Sequence, residues 1–265
     1  MTARRRLDAE LVRRGLATSR TEAQAAVAAG VVTVSGHPVT KPASLVSADE
    51  PLHVTSPARR FVSRGGDKLQ AALERFGIDP TGLDCLDAGA STGGFTDCLL
   101  HAGAARVVAV DVGYGQLAWE LRTDPRVIVL ERTNARSLDP EDLPFLPELV
   151  VADLSFISLR TVLPALSRVA ALGADLVLLV KPQFEAGPEH VGRGGVVRDP
   201  LVWRRVLAEV ADACRANEIG VAAVTVSPLV GPAGNVEFLL HGRKGERDDA
   251  VAFDAAVAEG ERLRR

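Results

Sequence analysis

A chain of 265 residues that is 47% hydrophobic can bury a large core, which sets intrinsic disorder aside and leaves room for one large domain and a small one. Its three cysteines, Cys85, Cys98 and Cys214, stand apart with no Cys-x-x-Cys pair, and no apolar run approaches the roughly 20 residues that cross a bilayer; a metal cluster, a disulfide scaffold and a membrane span are disfavoured, and a reducing cytoplasm is expected. The net charge of −3 conceals an asymmetry, because residues 1–65 hold ten Lys and Arg against five Asp and Glu, a net +5, while residues 66–265 hold 21 against 29, a net −8. A basic segment on an acidic body is the footprint of a nucleic-acid-binding appendage.

From the start, Arg5 to Arg14 sets Leu7, Leu11 and Val12 on one side with basic residues opposite, which predicts a helix closing near Gly15 in place of the apolar stretch of a secretory signal. Ser19-Arg20-Thr21-Glu22 has the spacing of a capping box ahead of an Ala-rich helix that Gly30 terminates. Val31 to Val34, a turn at Ser35-Gly36, and short strands around Val39 and Leu52-His53-Val54 follow. Two helices leading into a small sheet, with Ser19-Arg20, Ala23, Gly30, Val32, Val34 and Gly36 in these places, resemble the RNA-binding module first described in the fourth small-subunit ribosomal protein. The resemblance implies an RNA-binding domain over residues 1–58, with Arg4, Arg5, Arg6, Arg13, Arg14, Arg20, Arg59 and Arg60 toward the RNA. Phosphate contacts of this kind position a protein and read no sequence. Val31 departs from the family habit of a basic residue after the glycine.

Residues 59–66, with Gly65-Gly66, are expected as an interdomain linker that Phe61 and Val62 could pin, and residues 67–265 as the second domain. Lys68 then opens an amphipathic helix (Leu69, Ala72, Leu73, Phe76) ending at Gly77; a cation there is at the electrostatically wrong end of a helix, which invites a functional role. Next, Cys85-Leu86-Asp87-Ala88-Gly89-Ala90-Ser91-Thr92-Gly93-Gly94-Phe95-Thr96-Asp97 reads as strand, tight turn and helix start, the place where doubly wound sheets bind ligands. Gly-x-x-x-Gly-Gly after an acid departs from the dinucleotide fingerprint, and Asp87 suits a cationic ligand better than a pyrophosphate, so S-adenosylmethionine is the expected cofactor. Val107 to Val110 forms a second strand ending in Asp111, about twenty residues on, where an acid accepts hydrogen bonds from ribose hydroxyls. Gly89, Ser91, Gly93, Gly94 and Phe95 complete the expected cofactor loop.

Further along, a helix is expected over Tyr114 to Leu121, a third strand over Val127 to Leu130, and Asn134 behind it toward the adenine. Leu149 to Ala152 is a fourth strand ending in Asp153, followed by a helix to about Leu172; Asp175 to Val180 is a fifth, ending in Lys181 and Pro182. The Gly-rich segment from Gly187 to Pro200, basic at Arg193 and Arg198, is expected as a mobile substrate flap before a helix to Ala216. Val221 to Val226 and Asn235 to Leu240 are the last strands, and Ala250 to Leu263 a terminal helix. Parallel strands share one carboxyl rim, so Asp153 and Lys181 should lie beside the cofactor, and an antiparallel last strand would bring Glu237 there as well.

Lys68, Asp153, Lys181 and Glu237 match the Lys-Asp-Lys-Glu tetrad of FtsJ-type RNA ribose 2′-O-methyltransferases. The segments Asp87 to Thr96, Asp111 to Leu117, Asp153 to Ser158, Lys181 to Glu185 and Gly234 to Glu237, behind an RNA-binding module, are similar to the TlyA (haemolysin A) family over essentially the whole chain. The resemblance implies a Rossmann-like class I methyltransferase body, doubly wound and mostly parallel with an antiparallel last strand, and 2′-O-methylation of cytidine in ribosomal RNA of the large subunit and, in longer members, of the small subunit. It also implies a link to capreomycin and viomycin sensitivity. Where mycobacterial relatives are similar to Arg-x-Trp-Val, this chain reads Arg59-Arg60-Phe61-Val62 and keeps an aromatic. Within the tetrad the expected roles are Lys181 as base, Lys68 as the neighbour that orients the ribose, Asp153 as the partner of Lys181, and Glu237 holding Lys68 or the hydroxyl. Rival functions are methylation of another substrate, a non-catalytic ribosome assembly factor, a pore-forming haemolysin and an oxidoreductase. The basic module, the intact tetrad, the lack of a spanning pattern and the missing dinucleotide spacing speak against them in turn. No metal is expected.

Overall fold

The computed structural model describes residues 4–17, 19–54 and 60–264, and the chain divides into two units, residues 1–59 and 60–265. The first runs β1 (Arg5–Arg6), α1 (Leu7–Arg13), α2 (Arg20–Ala28), β2 (Val32–Val34), β3 (His37–Pro38), β4 (Leu45–Val46) and β5 (Leu52–Val54). β1 pairs with β4, and β2 lies between β3 and β5, all antiparallel. The helix expected from Arg5 begins at Leu7, because Arg5 and Arg6 pair with Val46 and Leu45 and the Leu7 amide donates to Ser44 O. Strand pairing claims two residues that the apolar pattern cannot assign. Ser19 Oγ accepts the Glu22 amide at 3.2 Å to cap α2, and Gly30, at φ +71°, ends it in the left-handed conformation. Leu7, Leu11, Ala23, Val27, Val32 and Val46 close the small core.

The second unit runs α3 (Arg64–Phe76), β6 (Asp84–Ala88), α4 (Gly94–His101), β7 (Arg106–Val110), α5 (Trp119–Arg122), β8 (Val127–Leu130), β9 (Leu149–Ala152), α6 (Leu159–Val169), β10 (Asp175–Val180), α7 (Pro182–Glu185), α8 (Pro200–Ala216), β11 (Ile219–Val226), β12 (Phe238–Lys244) and α9 (Phe253–Arg264). Its seven-stranded sheet has the order β11-β12-β10-β9-β6-β7-β8, with β12 antiparallel to both neighbours and the remaining pairs parallel. The central strands are continuous runs of Val, Leu and Ala because helices cover both faces, and two hydrophobic cores form, one on each side. The order reverses between β6 and β9, so the crevice at their carboxyl ends is the topological switch point.

Several expectations are corrected here. The linker expected at 59–66 belongs to the second unit from Arg60 onward, since Phe61 is buried edge-on to His101 at 5.6 Å and the Val62 amide donates to Asp97 Oδ2 at 2.8 Å. A Cβ on Gly66 would come within 2.3 Å of the Phe61 ring, so this glycine is what admits the aromatic. α3 is capped by Ser63 and begins at Arg64, which puts Lys68 in its second turn and removes the wrong-end argument for that lysine. The helix expected over Tyr114 to Leu121 shrinks to Trp119–Arg122, because the Gly113 and Gly115 amides are taken by the carboxylates of Asp111 (2.6 Å) and Glu131 (2.7 Å). The helix after β9 ends at Val169, short of Leu172. The segment over 187–200 is tied down: buried Asn235 accepts the Val197 amide at 2.9 Å and donates to Gly195 O at 2.8 Å, while Trp203 Nε1 donates to Val197 O at 3.0 Å.

Candidate active site

The last residue pair of β10 and β12 is Val180 with Phe238, so one further step along the antiparallel ladder sets Lys181 opposite Glu237. Asp153 directly follows β9, the parallel neighbour of β10, and these three residues share the carboxyl rim. Lys68 comes from α3, and its Nζ lies 2.5 Å from Glu237 Oε2, with both side chains buried. Lys181 Nζ lies 2.5 Å from Asp153 Oδ1, off the angle of a hydrogen bond, and its directed hydrogen bond goes to Ser155 Oγ at 3.0 Å. The four charges thus resolve into two ion pairs, which is how lysines tolerate burial.

Beside them lies a cleft of about 550 Å³ lined by Gly89, Ser91, Asp111, Asn134 and Asp153 from the expected set, together with Gln116, Leu154, Ser155, Phe156 and Ile157. Asp111 accepts the Ser91 amide on Oδ2 at 2.8 Å and the Gly113 amide on Oδ1, which fixes its carboxylate at the cleft wall. Asn134 lines the cleft and also accepts the Arg136 amide, doing the duty of a turn residue as well. Asp87, Gly93, Gly94 and Phe95 do not line it. A Cβ on Gly93, at φ +98°, would meet Leu121 at 2.2 Å, one on Gly94 would meet Ser63 Oγ at 2.1 Å, and Phe95 is buried in the core. Close packing of α3 and α5 on the loop, in place of ligand approach, demands these two glycines.

Asp87 is fully buried. Its Oδ2 accepts the Thr96 amide (2.8 Å) and hydroxyl (2.7 Å), while Oδ1 has no donor among the described residues. Burial pushes its carboxyl up to about 7 against the pull of the Thr96 hydrogen bonds, with Asp153 and Asp111 adding repulsion. A buried acid with an unfilled acceptor next to a glycine turn, with a second acid, Asp111, on the cleft wall, fits the cationic and nucleoside parts of S-adenosylmethionine.

Sequence reasoning assigned no role to Ser155, Phe156 or Glu185. Phe156 is 92% exposed, stands at φ +63°, and lies 5.2 Å from the Phe184 ring, whose face is 6.0 Å from Lys181 Nζ. A large apolar ring in the left-handed region and in water is doubly unfavourable, and a phenylalanine in a Ser-rich loop after an acid-ended strand was the signal available. Glu185 is buried and accepts the Leu159 amide (2.6 Å) and the Ser158 hydroxyl (2.5 Å), clamping the loop after β9 to the loop after β10; burial raises its carboxyl. Burial also pushes the three thiols up to about 12, so none is a nucleophile near neutral pH.

In the first unit, the expected RNA-facing arginines separate. Asp8 is buried and accepts from Arg6 (2.8 and 3.1 Å), Arg20 (3.2 Å) and Gln24 (2.9 Å); these hydrogen bonds, Arg6 foremost, hold its carboxyl well below the usual range. Arg13 and Arg14 converge on buried Glu10 and lower its carboxyl to about 2. Arg14 also donates to the carbonyls of Glu50, Ser47 and Ala48, so all its nitrogens are engaged internally and it acts as a stitch of the fold. Arg4 and Arg5 are exposed, and Arg60, which belongs to the second unit, stacks over Phe61 at 5.2 Å. Arg59 lies outside the described residues.

An FtsJ-like methyltransferase model matches residues 61–244, and an S4 domain model matches residues 5–52. Over 243 residues the chain is 59% identical to the 16S/23S rRNA (cytidine-2′-O)-methyltransferase TlyA of Mycobacterium tuberculosis, covering 91% of this chain and 90% of that protein. The chain belongs to the TlyA family. A hemolysin structure from Streptococcus thermophilus superposes with a TM-score of 0.80 at 38% identity over 99% of this chain and 98% of that one. A methyltransferase from Listeria monocytogenes, dependent on S-adenosylmethionine, shares the class I fold alone, with a TM-score of 0.53 at 14% identity over 69% of this chain and 99% of that one. Among the described residues no helix is long and apolar enough to cross a membrane, and no group of three His, Cys, Asp or Glu is arranged to hold a metal.

Proposed function

We propose that the chain transfers the methyl group of S-adenosylmethionine to the 2′-hydroxyl of a cytidine in ribosomal RNA, acting in the cytoplasm. The observation that carries this is the buried Lys181 amine held between Asp153 and Ser155 at the lip of the cleft. The bound cofactor supplies an electrophilic methyl group; the rest falls to the chain. Asp87 and Asp111 hold the cofactor's ammonium and ribose, and Asn134 its adenine side. Lys181, once its ammonium has given up a proton to solvent, takes the proton of the attacking hydroxyl onto Nζ, and Asp153 balances the ammonium that results. Lys68, its charge matched by Glu237, orients the ribose. Positioning supplies much of the rate and a placed base adds about 10²–10⁴-fold. Phe156 offers a ring face on which an unstacked base can lie, the usual way single-stranded RNA is held. Its relative's name assigns TlyA of M. tuberculosis the same chemistry on both rRNAs. Ribose-methylation mapping of rRNA from cells with and without the gene tests the proposal: a cytidine 2′-O-methyl mark that disappears with the gene, with lowered capreomycin and viomycin sensitivity, is expected. An unchanged map contradicts it.

A further inference from the structure

We propose that the second unit carries its own docking site for an RNA phosphate backbone, formed by Arg198 and Arg264 where the segment after β10 enters α8; the proposal rests on the RNA-methylation reading above. The arginines of this unit fall into two groups. One group is neutralised: Arg106 by Asp84, Arg126 by Asp124, Arg168 by Asp139, Arg215 by Asp248, Arg243 by Asp175 and, at the carboxyl ends of the strands, Arg122 by Glu131 and Arg160 by Glu185. Arg204 and Arg205, on α8, are likewise paired, with Asp254 and Glu209. Arg193, Arg198 and Arg262 are exposed and have no carboxylate in ion-pairing range among the described residues, and Arg264 spends one donor, Nη1, on Arg198 O at 2.7 Å. This unit, residues 60–265, carries a net charge of −6 and has acids to spare, yet leaves these cations uncompensated, with Arg198 and Arg264 side by side.

Arg198 and Arg264 line a notch of about 330 Å³ with Pro200 and Glu261, and Glu261 makes no ion pair with either guanidinium. Two guanidinium groups converging on one concavity repel each other unless an anion lies between them, and phosphate oxygens match their forked donors. The notch also stands at a fixed offset from the reaction centre. Asn235 grips the Gly195 carbonyl and the Val197 amide on one side and stands two residues before Glu237, the partner of Lys68, on the other. A phosphate seated in the notch would therefore hold the strand flanking the target ribose in register with the two ion pairs.

The test is the full-length double variant Arg198→Ala/Arg264→Ala, assayed for binding protein-free rRNA across a salt series and for methylation kinetics. Losing two phosphate contacts should flatten the log–log salt slope by about 1.4–1.8, since each contact contributes about 0.7–0.9. KM for RNA should rise about tenfold with kcat little changed, while S-adenosylmethionine affinity, unchanged, reports an intact fold. The milder pair Arg198→Gln/Arg264→Gln should flatten the slope equally, and Arg168→Ala/Arg215→Ala from the neutralised group should leave it as in the wild type. An unaltered slope in the notch variants, or an equal loss in the neutralised-group control, overturns the docking site while leaving the methyltransferase reading standing. A wild-type protein with no salt-dependent RNA binding overturns both.

Discussion

Two aspartates, one in each unit, are completely buried, and they could hardly be more different. Asp8 in the first unit is surrounded by donors from Arg6, Arg20 and Gln24, and its carboxyl is held down; Asp87 in the second has one oxygen served by Thr96, the other by nothing among the described residues, and its carboxyl is pushed up to about 7. Burial is common to both, so burial alone does not mark a functional acid. What separates them is whether the protein itself supplies the countercharge. Asp8 is finished by the fold, whereas Asp87 is not, which is what its proposed role toward a cationic ligand asks of it.

The largest effect expected from this contrast is on cofactor affinity. Asp87→Asn should weaken S-adenosylmethionine binding on the order of 100-fold, as removing one member of a buried charge pair does, whereas Asp8→Asn should leave it unchanged and instead lower the thermal midpoint of the first unit. Calorimetric titration of both variants decides it, and equal affinities would erase the distinction. A smaller effect is expected at Phe156, which bears on the acceptor. Phe156→Ala should lower kcat/KM for RNA about tenfold, in the range of one lost base stack, with cofactor affinity untouched; a loss in cofactor affinity instead would make Phe156 part of the cofactor wall.

The smallest effect is a difference in sign with pH. Asp87, with a folded value of about 7 above its ordinary 3.8, binds more protons folded than unfolded, so its contribution to the ligand-free second unit is lost as pH rises from about 4 through 7. Glu185, also raised by burial, acts in the same direction. Asp8 and Glu10 are lowered, so what they contribute to the first unit is present above the ordinary carboxylate range and lost as pH falls through it, for Glu10 down to about 2. Hydrogen exchange should show protection in residues 84–244 falling between about pH 4 and 7, a fall that Asp87→Asn flattens, while protection in residues 5–54 holds there and is lost only below about pH 4. Parallel behaviour of the two units between about pH 4 and 7 would show that the two buried acids do not differ as described.

Much of the proposed site was legible because Asp87, Asp111, Asp153 and Lys181 each interrupt or end an otherwise apolar run. The pairing of Lys68 with Glu237 was harder, since it joins positions 169 apart and depends on β12 entering the sheet antiparallel between β10 and β11. The need for glycine at Gly93 and Gly94 was visible but its cause was not, as the clashing atoms belong to Leu121 and Ser63. Arg14 looked like its neighbours because its acceptors, the carbonyls of Ser47, Ala48 and Glu50, leave no mark in side-chain pattern. The start of α3 was misplaced for a related reason: the contact between Phe61 and Gly66 that draws residues 60–66 into the body is a matter of shape.

The central claim is that the Lys181 amine, held by Asp153 and Ser155 at the cleft, removes the proton of the ribose hydroxyl. Single-turnover methylation of rRNA by Lys181→Ala, with cofactor and RNA both saturating, tests it most directly. The expected result is a rate lower by about 10²–10⁴-fold with S-adenosylmethionine affinity within a few-fold of the wild type. A single-turnover rate close to that of the wild type would contradict it.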